Sequence, residues 1–125
     1  MSTRCNIVAT WHNLSTEGKL IPMGQEILYV HHDGYPDRVG EQLNAFIKSV
    51  CLMGCGGNSK LAYLAFLGYC YKEGMRYKLE SVISGDIEYL YEINFYMNGN
   101  AVIEVYEVVN NGKTLNTSLT KKYEI

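Results

Sequence analysis

The 125-residue chain contains no hydrophobic run approaching the roughly 18 to 20 residues that a bilayer-spanning helix needs, so an ordinary transmembrane helix is excluded. Its opening, MSTRCNIVATW, also lacks the charged-then-apolar plan of a secretory signal, because the hydrophobic stretch is too short. Together these absences lead to the expectation of a cytoplasmic protein with no membrane partner. An excess of charge is missing too. Lysine and arginine number 11 against 13 aspartates and glutamates, for a net charge of -2. Residues 1 to 60 hold five basic and five acidic groups and the rest six and eight, so no basic half is hidden in the average. Without a basic footprint, nucleic acid is not expected as the partner.

Metal and cofactor signatures are equally thin. Cys51 and Cys55 are separated by three residues in CLMGCGG, but Cys5 and Cys70 offer no second short spacing to complete a four-ligand zinc site. His12 lies past the first expected strand, without a ligand-like spacing to His31 and His32. The four cysteines therefore read as thiols, and neither metal nor cofactor is expected. The chain has no G-x-S-x-G elbow, P-loop or H-E-x-x-H pattern. It also lacks an internal repeat, a low-complexity tract or a long linker, so residues 1–125 are read as one domain.

What is present is a hydrophobic share of 47%, ordinary for a chain with one core, and an unusual eleven tyrosines. Tyrosine suits a strand and also an interface, which needs an apolar body with a polar tip. Residues 4–11 and 26–32 read as strands that pair antiparallel, with HNLSTEGKLIPMGQ between them carrying Gly18, Pro22 and Gly24 as turn punctuation. A helix is expected over 37–53, because Val39, Leu43, Phe46, Ile47 and Val50 fall on one helical face. Asp37 is its expected N-cap, and Pro36 keeps the entering chain extended. GCGG at 54–57 ends it. A second helix over 59–73, capped by Asn58 or Ser59, has Leu61, Leu64, Ala65 and Gly68 as its inner face and packs antiparallel to the first.

The second half reads as β structure: a strand over 77–82, a turn at SGD, then IEYLYEINFYM and AVIEVYEVV flanking NGN. A three-residue loop over 98–100 pairs Phe95 with Ile103 and Ile93 with Val105, keeping one face apolar; a two-residue turn does not. NNGK at 110–113 makes another turn before one or two last strands. The expected fold is α+β, a mostly antiparallel sheet with two sequence-adjacent helices packed on one face. Val39, Phe46, Ile47, Leu64, Ile93, Phe95, Ile103 and Val105 are the expected core. Tyr96 and Tyr106 share the other face with Leu90, Val102 and Val108, an apolar-aromatic patch suited to a partner protein or a homodimer.

The densest chemistry lies in ILYVHHDGYPDRVG, residues 27–40, where an apolar strand runs into two histidines, an aspartate and a glycine before a helix begins. Adjacent residues of a strand point to opposite faces, so His31 and His32 share a ligand only if the chain bends there. Asp33 and Gly34 allow that bend, and the amides at the helix start around Arg38 and Val39 favour an anion. STRCNI at 2–7 together with HHDGYPDRVG at 31–40 resembles a family of small phage, prophage and bacterial proteins. Their shared pattern is an N-terminal Ser-Thr-Arg strand and an Asp-Gly-Tyr-Pro motif before a helix; here it is carried by Thr3, Arg4, Asp33, Gly34, Tyr35, Pro36 and Gly40. The resemblance covers about the first third of the chain and implies a site rather than a named activity. It also implies the cytoplasm of the host cell as the location of a phage-encoded copy.

With the first two strands antiparallel, Thr3 and Arg4 are expected beside Asp33 and Tyr35, Arg4 pairing with Asp33. The candidate ligand-binding residues are Thr3, Arg4, His31, His32, Asp33, Tyr35 and Arg38. The first reading is a phage-type accessory protein that binds a small anionic or nucleotide-like ligand, as a sponge for a host defence signal. One alternative is an inhibitor of a host enzyme acting through the tyrosine-rich sheet. Another is a small hydrolase using His31 or His32 with Asp33, or Ser2 as an N-terminal nucleophile. A fourth outcome is that the motif only braces a turn.

Overall fold

Every residue from Cys5 to Thr10 is buried, on both faces of the strand they form, and such a strand has to lie inside a sheet. The computed structural model describes residues 3–14, 16–53, 59–83, 86–96, 101–110 and 115–124. In it β1 (Cys5–Leu14) lies between β2 (Leu20–Val30) and β4 (Tyr89–Phe95), flanked in turn by β3 (Tyr77–Glu80) on one side and β5 (Ala101–Asn110) and β6 (Leu115–Glu124) on the other. The six-stranded order is β3-β2-β1-β4-β5-β6. Two helices adjacent in sequence, α1 (Glu41–Met53) and α2 (Ser59–Lys72), are inserted between β2 and β3. The class is α+β.

The sheet is mixed rather than mostly antiparallel in design, because its central pair, β1 and β4, is parallel, with Ile7 opposite Tyr91. The expected antiparallel pairing of β1 with β2 is present, Cys5 opposite Val30. A parallel neighbour cannot be reached by a hairpin and needs a crossover. Here the chain leaves β3 at one edge and enters β4 beyond β1, and Ile87 from this crossing packs with Val8 and Leu90 on the face away from Ile7. What read as a turn at SGD is part of that crossing; Ser84 and Gly85 lie outside the described residues. Tyr29, Tyr106 and Val108 pack partly buried around the same small cluster, so the crossing covers part of the patch read as open.

Cys5, Ile7, Ala9, Leu28, Tyr91, Ile93, Ile103 and Val105 belong to the main buried cluster, with Leu43, Phe46 and Ile47 of α1 and Ala62, Tyr63, Phe66 and Cys70 of α2. Leu64 is a correction, since it is 49% exposed, as is Leu61 at 53%. The reason is compositional: between Lys60 and Lys72 the helix carries no charged residue, so hydrophobicity does not tell its faces apart. The large rings decide instead. Tyr63 stacks on Trp11 with centroids 4.5 Å apart, and Phe66 meets Phe95 at 6.0 Å. Trp11 in turn lies over Gly24, its opposite residue in β2, where a Cβ would fall 2.0 Å from the indole.

The hairpin register also differs from expectation. Ile93 pairs with Ile103 and Phe95 with Ala101, two positions from the expected partners. A slip of two leaves every side chain on its own face, which is why the core prediction survives the wrong register. The expected turn residues 98–100 and 111–113 lie outside the described residues, as do Ser2, GCGG with its Cys55, Asn58, and the side chains of Val50 and Cys51. The strand expected over 77–82 stops at Glu80.

Cys5 and Cys70 are buried, and burial raises both thiols, Cys70 to about 12 and Cys5 further. A thiol held in its protonated form is a poor nucleophile. Iodoacetamide at a pH of about 8 is expected to leave both unmodified in the native protein, as read by peptide mass spectrometry. Labelling at the rate of the unfolded chain would contradict the placement of β1 and α2.

Candidate functional site

The site is built where β2 ends. Val30 pairs with Tyr77, so the helices leave and return at one end of the sheet. Asp33 adopts φ 59, a left-handed conformation that aspartate tolerates better than most residues. The chain reverses there and enters a π-helical turn, Pro36–Gly40, that runs directly into α1. Tyr35, not Asp37, is the N-cap: its carbonyl accepts from the amides of Arg38 (3.0 Å) and Val39 (3.1 Å), while Asp37 sits in the first turn. Pro36, whose missing N–H costs nothing at a first helical position, follows it.

Gly34 is locked by its main chain. Its amide donates to the Thr3 carbonyl at 2.9 Å, and its carbonyl accepts from the buried Tyr91 hydroxyl at 2.7 Å. A side chain here would press on backbone, with a Cβ 2.9 Å from the Thr3 oxygen and 3.1 Å from the Arg4 carbonyl carbon. The expected meeting of the Thr-Arg strand with the Asp-Gly-Tyr-Pro motif is therefore real, and it is made through Thr3 and Gly34.

Arg4 is elsewhere. It pairs with Asp86 (3.5 Å) and Glu88 (3.2 Å) rather than with Asp33, and its carbonyl accepts from the Glu88 amide at 2.9 Å. Its guanidinium thus links the start of β1 to the end of the crossing. Asp33 faces Arg38 instead, at 3.9 Å.

Between these elements lies a cleft of about 300 Å³, lined by His31, His32, Asp33, Arg38, Gln42, Glu73 and Arg76 together with Val30, Val39, Gly74 and Met75. Of the seven expected site residues, His31, His32, Asp33 and Arg38 line it; Thr3, Arg4 and Tyr35 do not. Both histidines face one cleft because the strand has ended at Val30, and their rings meet edge to face at 4.6 Å. The Tyr29 hydroxyl donates to Asp86 at 3.4 Å and lies 2.9 Å from His31 Nδ1.

Gln42, Glu73 and Arg76 were not foreseen. The signal for Arg76 was available: Gly74, at φ 74, closes α2, with Gly74 N–H donating to Tyr71 and Met75 N–H to Cys70. That paired closure is a common glycine helix stop, and the residue two places on, Arg76, immediately precedes β3, whose first residue pairs with the end of β2. His12 is remote, roughly 20 Å along β1 from this end, where it bonds Asn94 at 2.9 Å and stacks on Tyr96. Among the described residues no three histidine, cysteine, aspartate or glutamate side chains gather as a metal would need, and no helix is long and apolar enough to cross a membrane.

Comparison of the chain with protein-family models, with curated proteins and with solved structures finds no match. What the cleft does is therefore read from its own side chains.

Proposed function

We propose that this protein is a binding module for a small anionic ligand, held in the cleft at the end of β2. The observation that carries the reading is Arg76. It lines the cleft with Arg38 and both histidines, and it has no ion-pair partner among the described residues, whereas Asp33 engages Arg38 only at 3.9 Å. A guanidinium presents five N–H donors in a planar fork suited to phosphate or carboxylate, and the imidazoles and Gln42 add further donors. Both helices covering one face of the sheet is part of this reading, since it fixes the α1 start and the α2 end as the cleft's two walls. In the phage setting implied by the resemblance, the role is capture of a host defence signal.

Calorimetric titration with inorganic pyrophosphate tests the reading. Saturable binding is expected, and Arg76→Ala is expected to weaken it by about ten- to hundredfold, the equivalent of a charged hydrogen bond of roughly 1.5 to 3 kcal/mol. Arg4→Ala, outside the cleft, should leave the affinity in place. Absence of saturable binding, or equal losses in the two variants, would refute the site.

A further inference from the structure

Next to the cleft, and sharing Gly74, Met75 and Arg76 with it, is a hollow of about 510 Å³ whose other walls are Tyr71 and Tyr77. Tyr71 is 83% exposed, an aromatic side chain for which neither the core nor the sheet has a use. Tyr77 is held in place: it opens β3 opposite Val30, packs against the main cluster, and its phenol is raised above the usual value by burial. Met75, 9% exposed, also lines the hollow, and a methionine thioether is a polarizable neighbour for a ring. The hollow therefore has one fixed aromatic wall, one exposed aromatic wall and an apolar floor. Arg76 stands at the junction of this hollow and the cleft.

We propose that the ligand is a nucleoside phosphate, its phosphate in the cleft against Arg76, Arg38 and the histidines and its base in the Tyr71–Tyr77 hollow over Met75. The inference rests on the anion-binding reading for the phosphate and adds the ring subsite. A ring without charge has no use for Arg76, and a bare anion has no use for Tyr71; a base joined to a phosphate uses both. Stacking on tyrosine accepts any base, so the hollow selects for a planar ring ahead of a particular one.

Ribose 5-phosphate and the four ribonucleoside 5′-monophosphates, titrated into the full chain by calorimetry, separate the two subsites. At least one monophosphate is expected to bind about tenfold or more tightly than ribose 5-phosphate. Tyr71→Ala should abolish that advantage and leave the ribose 5-phosphate affinity unchanged. If no monophosphate exceeds ribose 5-phosphate, or if Tyr71→Ala weakens all of them equally, the ring subsite is wrong and the anion site stands. If no compound binds, both fall.

Discussion

Phe95→Ala is expected to lower the unfolding free energy by about 3 to 5 kcal/mol. Phe95 is wholly buried at the end of β4, and its ring meets Phe46 of α1 at 6.3 Å and Tyr63 and Phe66 of α2 at 6.4 and 6.0 Å. Both helices lean on this one side chain, so the cavity left by truncation is not closed by moving either alone. Urea unfolding followed by the single tryptophan reads the loss, because Trp11 pairs with Phe95 across the β1–β4 register and stacks on Tyr63. Leu64→Ala is the matched control. At 49% exposure it should change stability by no more than about 0.5 kcal/mol. A loss below about 1 kcal/mol at Phe95, or a larger one at Leu64, would show that α2 presents its other side to the sheet.

That contrast marks how far periodicity carried the fold. In α1 and the turn before it charged and polar residues interrupt the apolar ones, and the expected apolar face of Val39, Leu43, Phe46 and Ile47 is buried. In α2 nothing interrupts them, and bulk alone distinguishes Phe66 from Leu64. Strand pairing of β1 with β2 was legible because both are apolar runs on either side of a short turn-rich stretch. The parallel β1–β4 pair was not, because nothing in SGD separates a hairpin turn from a crossing; only the double burial of β1 demands another neighbour.

The candidate site shows the same division. His31, His32, Asp33 and Arg38 are neighbours in sequence, so a local motif points to them directly. Gln42 follows Arg38 by one helical turn at the start of α1, whereas Arg76 reaches the cleft by tertiary folding, through the return of α2 to the end of β2. Arg4 was misassigned for the same reason: its carboxylate partners, Asp86 and Glu88, lie more than eighty residues away on the crossing.

Gly34→Ala is expected to cost about 1 to 3 kcal/mol of stability while leaving anion binding intact. The new Cβ would meet the Thr3 carbonyl oxygen, the Cys5 Cβ at 3.0 Å and the Arg4 carbonyl carbon. Two of those three are main chain at the start of β1, which yields only by loosening the strand that centres the sheet. Tyr91→Phe acts on the same residue from the other side, leaving the Gly34 carbonyl without the buried hydroxyl that now donates to it, at a cost of about 1 to 3 kcal/mol. Because both changes act on one residue, the double variant should lose less than the sum. Pyrophosphate affinity, measured where all variants are folded, should stay within about twofold of wild type, as Gly34 and Tyr91 do not line the cleft. Thermal melts and titrations on the same three variants decide the point. Destabilisation with binding preserved makes Gly34 the clamp between β1 and the helix start, with Asp33 beside it facing the cleft. Binding lost without any fall in stability would move the site onto Gly34 and its contacts.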